Sequence, residues 1–496
     1  MNVAEQLNSI FIRHWKKPSL ISDERSFSYC DLYSHALAIC EWLTLKGCQA
    51  GDTVAIGLPN GWPFAISYLA CIIGGFRFVP VNLELSEEDQ RYIIERVNAK
   101  FVMDNVADLL SLPLIQVDKP VFFNSSNTVA AVFFTSGTTG RPKGVCHTLE
   151  NLINNILAFN QAQNITNHTR MYHILPMAYM AGFLNTLLSP WLAGGVVLLG
   201  SRFRPLDALQ FWEKPLLWNA NAIWLTPTIA AVISRMNRNK DIIKKLATKK
   251  WHIFCGTAPL SIKVRQNFRA IFGLSLQESY GMSEILLVAS QTIDEADKEI
   301  NVGRLLPNIN IRFRGIPESK ESELIIDSPY ALSSYLLEDS EESPLLEDGG
   351  MPTGDIGFLL NKALIITGRL KDLIIRGGIN ISPFALENIL QRESKIKEAA
   401  AIGLPHEIWG ECIVACLVIK KNIDFEMLQL NIQKRCTEDL ADGMRPDYYV
   451  FLDNFPYSST GKVQKHILVK RLTQLVLPGI TGSPTLFIDL RGKNWA

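Results

Sequence analysis

Residues 132–144 read VFFTSGTTGRPKG, an apolar run followed by a loop rich in glycines and hydroxyl groups. The apolar part predicts a short buried strand. Glycines let a backbone approach a ligand closely, and consecutive N–H groups in such a turn attract anions. Lys143 adds a positive charge, whereas Gly144 excludes the Walker A pattern, which requires Ser or Thr after the lysine. We therefore predict a phosphate-binding loop made of Thr135, Ser136, Gly137, Thr138, Thr139, Gly140 and Lys143.

The segment TSGTTGRPKG, residues 135–144, resembles the signature of the adenylate-forming (AMP-binding) superfamily. This superfamily includes acyl-CoA synthetases, stand-alone adenylation enzymes and luciferases. Further motif blocks in the same order extend the resemblance over about residues 20–475. The resemblance implies ATP-dependent activation of a carboxylic acid to an acyl-adenylate with release of pyrophosphate. Transfer of the acyl group to the thiol of CoA would follow, so that ATP, Mg²⁺ and CoA are the expected cofactors.

The composition is that of an ordinary globular protein. Apolar residues make up 47% of the chain and charged residues 20%. The 49 basic residues balance the 49 acidic ones, so no net field attracts nucleic acid or an anionic membrane. The nine cysteines are scattered without a CxxC pair, which favours reduced thiols and a cytoplasmic location. Neither a signal peptide nor an apolar run of membrane-spanning length is evident.

The chain predicts an α/β fold built in two parts. Residues 1–130 and 170–300 alternate strand-like and helix-like segments, which is typical of doubly wound α/β layers. Residues 301–368 change to short β-like runs and predict a β-rich subdomain. A smaller α+β unit follows, and we place the boundary at Lys371, giving domains 1–370 and 371–496. The basic run 235–250 carries seven Lys or Arg residues and is predicted to lie on one helix.

Two motif blocks supply candidates for nucleotide and metal binding. QESYGMSE, residues 277–284, resembles the family's Tyr-Gly-x-Thr-Glu block, with Ser283 as a conservative departure. Tyr280 offers an aromatic face to adenine, Gly281 permits close approach, and Ser283 can hydrogen-bond a phosphate oxygen. Glu284 is a hard oxygen ligand suited to Mg²⁺. CGTAPL, residues 255–260, resembles the family's segment beside adenine and the acyl group, which assigns Gly256 to the nucleotide site and Ala258 to the acid pocket.

The remaining nucleotide and transfer residues follow from the resemblance. Asp355 in TGDIG and Arg369 in ITGR match the family residues that clamp ribose. Lys462 in SSTGKVQK matches the lysine that reaches the carboxylate and the α-phosphate during adenylation. Lys371 matches the hinge at which the small domain rotates between half-reactions. The pair Gly377 and Gly378 matches residues that line the pantetheine tunnel. The residues with a catalytic assignment are thus Lys462, Lys143, Glu284 and Lys371.

The acid pocket is predicted around LPMAYMAGF, residues 175–183. Relatives that activate amino acids carry an Asp in this region, and that counter-charge is missing here. Because an unpaired buried ammonium is costly, a fatty or aryl acid is favoured. The pocket residues assigned are Tyr179, Met180, Gly182, Ala258 and Met282. His147 and His173 lie near the motifs without metal-ligand spacing, and we interpret both as structural.

Two alternatives remain open at the level of sequence. The acceptor thiol could be the phosphopantetheine of a carrier protein instead of CoA, because the same site serves both. A non-catalytic nucleotide-binding scaffold on this fold is an alternative of a different class. An inactive relative is expected to have lost key residues, whereas Lys143, Glu284 and Lys462 are all retained. The enzymatic interpretation is therefore favoured.

Overall fold

The computed structural model describes residues 2–123, 128–135, 142–237, 239–296, 301–315, 322–336, 341–421, 423–457, 463–476 and 486–492 of the 496-residue chain. The α-helices within these ranges are, in chain order, α1 (Val3–His14), α2 (Tyr29–Leu45), α3 (Trp62–Gly74), α4 (Glu87–Arg96), α5 (Val106–Leu110), α6 (Leu149–Gln163), α7 (Met180–Phe183), α8 (Ser189–Leu192), α9 (Glu213–Leu217), α10 (Pro227–Met236), α11 (Lys240–Leu246), α12 (Ile262–Phe272), α13 (Pro383–Gln391), α14 (Phe425–Asp439) and α15 (Lys465–Val476). A π-helical turn spans Leu184–Leu188, and 3₁₀ turns span Pro205–Leu209, Leu370–Asp372 and Asp442–Met444.

The strands are described in the same order. They are β1 (Pro18–Ile21), β2 (Ser26–Ser28), β3 (Thr53–Ile56), β4 (Arg77–Pro80), β5 (Phe101–Met103), β6 (Val129–Thr135), β7 (Lys143–Thr148), β8 (Arg170–His173), β9 (Val196–Leu199), β10 (Ala222–Leu225), β11 (His252–Cys255), β12 (Gln277–Met282), β13 (Leu286–Ser290), β14 (Arg304–Leu305), β15 (Asn310–Arg314), β16 (Ser322–Asp327), β17 (Ser334–Leu336), β18 (Glu341–Glu342), β19 (Met351–Leu360), β20 (Ala363–Arg369), β21 (Ile374–Arg376), β22 (Ile379–Ile381), β23 (Ile396–His406), β24 (Gly410–Ile419), β25 (Tyr448–Leu452) and β26 (Leu486–Asp489).

These strands form three sheets within the described ranges. A thirteen-stranded sheet has the order β15-β16-β19-β20-β14-β13-β12-β11-β10-β8-β9-β1-β2. A seven-stranded sheet has the order β18-β17-β7-β6-β4-β3-β5. The six-stranded sheet runs β22-β21-β24-β25-β26, and β23 pairs with β24. The first two sheets form the large N-terminal part of the fold, and the third is the core of the small C-terminal part.

Helices cover both faces of the parallel strands β8, β9, β10 and β11. The face that carries Trp224 and Phe254 belongs to the same core cluster as the buried side of α6. The opposite face, which carries Ile223 and Ile253, packs against α10 and α12. Beyond β12, this sheet continues in antiparallel fashion through β13, β14, β20, β19, β16 and β15, as the short β-like runs predicted. The prediction of doubly wound α/β layers with a β-rich subdomain is confirmed.

Helix α6 shows how the sequence specifies this packing. Its apolar residues Leu149, Leu152, Ile153 and Ile156 recur at helical spacing, and each is at most 2% exposed. Burying one such side chain contributes about 1.5–3 kcal/mol. Thr148 caps the helix by accepting a hydrogen bond from the third residue, which fixes where α6 begins after β7. The helix is thereby fixed immediately behind the predicted phosphate loop.

The basic run 235–250 does not form one helix, and that prediction is wrong. Helix α10 ends at Met236 and α11 begins at Lys240. Asn237 has an extended backbone, with φ −86° and ψ 119°. Asn239 accepts hydrogen bonds from the backbone N–H groups of Asp241 and Ile242. An asparagine in this position starts a new helix instead of continuing the previous one, so the two basic segments belong to separate helices.

The small sheet begins shortly after the predicted boundary. Lys371 lies in the 3₁₀ turn Leu370–Asp372, and β21 starts at Ile374. The division into 1–370 and 371–496 stays a prediction. No helix in the described ranges is both long enough and apolar enough to cross a bilayer.

Candidate active site

Three predicted nucleotide residues meet at the junction of β12, β19 and β20. Antiparallel pairing sets Asp355 directly opposite Arg369, and their Oδ1 and Nε atoms are 2.6 Å apart. The hydroxyl of Tyr280 donates to the other oxygen of Asp355 at 2.7 Å. The carboxylate is buried, whereas the Arg369 side chain is 46% exposed. Since an ionised carboxylate has about four acceptor positions, two remain for the hydroxyl groups of a ribose.

Burial and the neighbouring Asp355 carboxylate both raise the pKa of Tyr280 well above its ordinary value. The phenol therefore stays protonated and keeps its role as donor to Asp355. Tyr280, Asp355 and Arg369 form what we call the Asp355 cluster.

Gly281 is required by the hairpin between β12 and β13. A Cβ atom on this residue would lie 2.2 Å from the carbonyl oxygen of Leu286, a distance that no side chain tolerates. Leu286 itself has a positive φ of 61°. The hairpin is thus tightly folded, and backbone strain of this kind is concentrated at functional sites. The fold alone accounts for the glycine at this position.

Glu284 and Lys143 come together through a residue that no motif indicated. The Tyr335 hydroxyl donates to Glu284 Oε1 at 2.8 Å, and the Lys143 ammonium lies 5.4 Å from the centre of the Tyr335 ring. Tyr335 is placed there because β17 pairs with β7, opposite Val145. A cation over an aromatic face is attracted to it. The candidate Mg²⁺ ligand and the phosphate-binding lysine therefore contact the same tyrosine.

Ser283 is held by the strand that leaves the phosphate loop. Its carbonyl oxygen is 2.6 Å from Nε2 of His147 on β7, so that the imidazole N–H donates to it. This hydrogen bond joins the Tyr280–Glu284 segment to β7, the strand that begins at Lys143. Thr135 is the last residue of β6 and lies opposite Lys143, the first residue of β7. The rest of the predicted loop lies outside the described residues: Ser136, Gly137, Thr138, Thr139 and Gly140.

The donor set fits a nucleotide-bound magnesium ion. Within the described ranges, no three His, Cys, Asp or Glu side chains cluster closely enough to hold a metal by themselves. Mg²⁺ commonly keeps several waters and binds through one or two carboxylates plus phosphate oxygens. Glu284 supplies one such carboxylate, beside the cation that would face the phosphates. The arrangement therefore matches a metal that arrives with ATP.

The segment from Gly256 to Leu260 is fixed by a buried ion pair that the sequence reasoning missed. Glu278 accepts from the backbone N–H of Leu260 at 3.3 Å, and Arg265 Nη2 lies 2.5 Å from its other oxygen. Thr257 has a φ of +72°, which is a strained value for a β-branched residue. Gly256 is buried and Ala258 is half-buried. The pair holds the predicted adenine and acyl segment against β12.

Side chains from residues 1–130 hold the predicted acid segment, residues 175–183, in place by hydrogen bonds. Asn82 donates to the Tyr179 hydroxyl at 2.9 Å, and Tyr68 donates to the carbonyl of Met177 at 2.7 Å. A Cβ atom at Gly182 would lie 2.0 Å from the carbonyl oxygen of Pro176, so the turn requires glycine. Two further predicted pocket residues pack partly buried against the same core cluster: Met180 and Met282.

His147 and His173, both interpreted from the sequence as structural, are fully buried. Burial lowers the pKa of His147 to about 4 and that of His173 to about 3. Both imidazoles are neutral near pH 7.

The two histidines are expected to make the fold sensitive to acid. At pH values between the folded-state and the unfolded-state pKa of each histidine, the imidazole is protonated only in the unfolded chain. The free energy of unfolding therefore falls as the pH drops below about 6.5. Each histidine should lower the unfolding free energy by about 2 kcal/mol between pH 6.5 and pH 5. Urea unfolding across that range measures the loss. His173→Gln should flatten the profile and the exposed control His168→Gln should not; an unchanged slope in both would contradict the assignment.

The transfer residues lie on the small sheet. Gly377 and Gly378 have φ values of 57° and 81° in the hairpin between β21 and β22, conformations that favour glycine. The hairpin is exposed, and a Cβ atom on Gly378 would meet nothing within 4 Å in the described part of the chain. Lys371 is exposed in its 3₁₀ turn. The pantetheine and hinge assignments stay predictions, and Lys462 lies outside the described residues.

Comparison with known proteins identifies the family. The AMP-binding enzyme model matches residues 12–336, and the AMP-binding enzyme C-terminal domain matches residues 385–462. The mitochondrial malonate–CoA ligase of Mus musculus is 25% identical, over 92% of this chain and 88% of that protein. The long-chain-fatty-acid–CoA ligase of Mycobacterium tuberculosis is 26% identical, over 92% of this chain and 95% of that protein.

A solved structure shares the fold. ATP-bound MatB from Rhodopseudomonas palustris superimposes with a TM-score of 0.84 at 24% identity, over 96% of this chain and 100% of that one. The two family matches together cover most of the sequence. The chain therefore belongs to the AMP-binding enzyme family and is an AMP-forming acid–thiol ligase.

Proposed function

We propose that this enzyme joins a carboxylic acid to AMP, releases pyrophosphate and passes the acyl group to the thiol of CoA. The observation that carries the proposal is the assembly of the Asp355 cluster at the end of β12, the strand that leads directly to Glu284. One carboxylate there, Asp355, is buried and can accept from a ribose, and the other, Glu284, is half-buried and contacts Tyr335 next to Lys143. Both lie where a nucleotide can be held at its sugar and at its phosphates.

Some of these residues bind the nucleotide, and others neutralise charge during the reaction. Asp355 accepts the ribose hydroxyls, and Arg369 orients Asp355. Lys143 and Lys462 neutralise the charge that develops as the acid attacks the α-phosphorus. Mg²⁺, held by Glu284, would supply further positive charge to the phosphate oxygens. Rotation at Lys371 then exchanges Lys462 for the Gly377–Gly378 hairpin, beside which the thiol attacks the acyl carbonyl.

CoA is the favoured acceptor, because the relatives described above are both named CoA ligases. A carrier-protein phosphopantetheine is the alternative. The acid has no ammonium group, since the acid segment carries no acidic counter-charge between residues 175 and 183. All nine cysteines are unpaired, which supports a reducing, cytoplasmic location and not a secreted one. A balanced net charge supports the absence of a nucleic-acid partner.

The test is pyrophosphate release from ATP across a panel of carboxylic acids, each with and without CoA. Acid-dependent release that rises with CoA and yields an acyl-CoA supports the proposal. Acid-dependent release that does not change with CoA would indicate that a carrier protein is the acceptor. ATP binding without release for any acid would favour the non-catalytic scaffold and overturn the proposal.

Asp355→Asn is expected to weaken ATP binding with little effect on the acid. The amide loses the ion pair to Arg369 and the charge-assisted hydrogen bonds, which are worth about 1.5–3 kcal/mol each. The KM for ATP should therefore rise by roughly 10–100-fold in the pyrophosphate assay. Asp327→Asn is the matched control, because Asp327 pairs with Arg312 at 2.7 Å on an exposed part of the same sheet. Equal changes in both variants would contradict the ribose assignment.

A further inference from the structure

A row of buried side chains crosses the large sheet beneath the acid segment. Strands β10 and β11 pair in parallel with Trp224 opposite Phe254. Strands β8 and β10 pair with Tyr172 opposite Ile223, so the next residues, His173 and Trp224, are also neighbours. Side chains in register on adjacent strands point to the same face of a sheet. His173, Trp224 and Phe254 therefore form one row, and each is at most 1% exposed.

Two polar atoms of this row lack hydrogen-bond partners among the described residues: Nε1 of Trp224 and Nε2 of His173. His173 Nδ1 is 2.6 Å from the hydroxyl oxygen of Thr186, which donates its own proton to the carbonyl of Gly182 at 2.8 Å. The imidazole Nδ1–H is therefore the donor to Thr186, which leaves Nε2 as the acceptor nitrogen of the neutral ring. Buried polar atoms are nearly always paired, so an orphaned donor and an orphaned acceptor on neighbouring strands of the same sheet face point to an absent ligand.

The indole of Trp224 stands directly below the adenine and acyl segment. A Cβ atom built on Gly256 would lie 3.6 Å from both Nε1 and Cζ2 of Trp224. Trp224 stacks on Phe254 with ring centroids 5.0 Å apart and contacts Phe159 of α6 at 5.7 Å. Phe159 and Phe254 also contact each other at 5.2 Å, so the indole is packed in a three-ring cluster and cannot change its orientation without displacing the other two rings.

The acid segment contacts the row at its His173 end. The π-helical turn Leu184–Leu188 follows α7 and contacts both β8 and β10. Its Thr186 links Gly182, a predicted pocket residue, to His173 in the row. π-Helical turns occur frequently at functional sites. The row therefore contacts both predicted walls of the pocket, the one that contains Gly182 through Thr186 and the one that contains Gly256 through Trp224.

We propose that Trp224 is the floor of the acid pocket and that the enzyme selects a short carboxylic acid with a neutral oxygen at its far end. This assignment rests on the ligase function proposed above and narrows its substrate. An acyl group that enters past Gly256 meets the indole within van der Waals distance, which limits its length. A terminal hydroxyl accepts from Trp224 Nε1 and donates to His173 Nε2, satisfying both orphaned atoms. An anionic tail would face only neutral groups there.

Two substitutions at Trp224 test separately the limit on acyl-chain length and the preference for a terminal hydroxyl group. Trp224→Leu removes the obstacle, and kcat/KM for octanoate and laurate should rise by about tenfold or more relative to butyrate. Trp224→Phe preserves an aromatic floor but removes the N–H. It should keep the length limit and lose the preference for a terminal hydroxy acid over its alkyl counterpart, by about fivefold to tenfold. Trp251→Leu is the control, because Trp251 is equally buried but belongs to the cluster on the opposite face of the sheet.

The wild-type protein should turn over hydroxypropionate and hydroxybutyrate with terminal hydroxyls faster than propionate, butyrate or octanoate. The inference would be overturned if both Trp224 variants kept the wild-type ratio of kcat/KM between long and short acids and the wild-type ratio between hydroxy acids and their alkyl counterparts. A binding series separates this result from failure of the ligase function itself. Non-hydrolysable acyl-sulfamoyl adenosines of the same acids, titrated calorimetrically, should bind the wild type more tightly when the acyl group is short and hydroxylated. Equal affinities across the series would refute the pocket assignment even if no acid is turned over.

Discussion

Replacing Lys462 with alanine is expected to lower acid-dependent pyrophosphate release by about 10²–10³-fold. The loss corresponds to roughly 2.7–4 kcal/mol of transition-state stabilisation from one electrostatic contact. The thioester half-reaction, started from preformed acyl-adenylate and CoA, should be largely spared, because the proposed rotation at Lys371 removes this lysine from the acyl group in that step. Single-turnover assays of each half-reaction measure the two effects separately.

Lys465→Ala provides the control for this prediction. Lys465 is near in sequence and carries the same charge, but its ammonium is 2.7 Å from Glu387 within the small domain. Its charge is already neutralised, so neither half-reaction should change markedly. Equal losses in both half-reactions for Lys462→Ala would show that the lysine supports the fold or binds both acyl-adenylate and ATP. The adenylation role would then be withdrawn.

Sequence patterns indicated candidate residues for the nucleotide site but not the contacts between them. Tyr280, Asp355 and Arg369 each belong to a short motif that can be read locally. Their contact depends on the pairing of β19 with β20 and on the order of strands around β12, which no local pattern encodes. The layer architecture was predictable because strands and helices differ in periodicity, whereas strand order is set by tertiary packing.

The residues that were missed share a physical reason. Tyr335 lies in a short polar strand and reaches Glu284 only because β17 pairs with the distant β7. Trp224 looks like any apolar strand residue, and only its unpaired Nε1 together with its contact below Gly256 distinguishes it from core. Arg265 follows a helix start and is indistinguishable in sequence from a solvated charge. Burial and hydrogen bonding, which separate these cases, are properties of the folded chain.

The ion pair between Arg265 and Glu278 should be among the most sensitive positions in the protein. Both side chains are about one-tenth exposed, and Arg265 also donates to the carbonyl of Leu276 at 3.2 Å and to Gln291 Oε1 at 3.1 Å. Burial raises the pKa of the Glu278 carboxyl, and Arg265 opposes that shift. Arg265→Met removes the opposing charge and leaves a buried carboxylate. A loss of about 3–5 kcal/mol in unfolding free energy is expected at neutral pH.

The pH dependence identifies the cause of that loss. In the variant, the folded-state pKa of Glu278 should lie still further above its unfolded value, so the folded state binds the proton more tightly. The stability of the variant should therefore be highest near pH 4.5 and fall as pH rises towards its folded pKa, and its deficit relative to the wild type should grow above the wild-type folded pKa of about 7. Urea unfolding of the variant at several pH values measures this trend. Arg312→Met, which breaks the exposed pair with Asp327, is the control and should show no such trend.

The double variant Arg265→Met/Glu278→Leu decides between lost charge and lost packing. Replacing both partners by apolar groups of similar volume removes the unpaired charge, and such replacements are often neutral or stabilising. Stability should then recover, but the backbone N–H of Leu260 loses its acceptor, so the segment from Gly256 to Leu260 is no longer fixed to β12. We expect a stable protein with an increased KM for the acid. A double variant as unstable as Arg265→Met would instead show that packing around the guanidinium, and not its charge, holds this part of the site together.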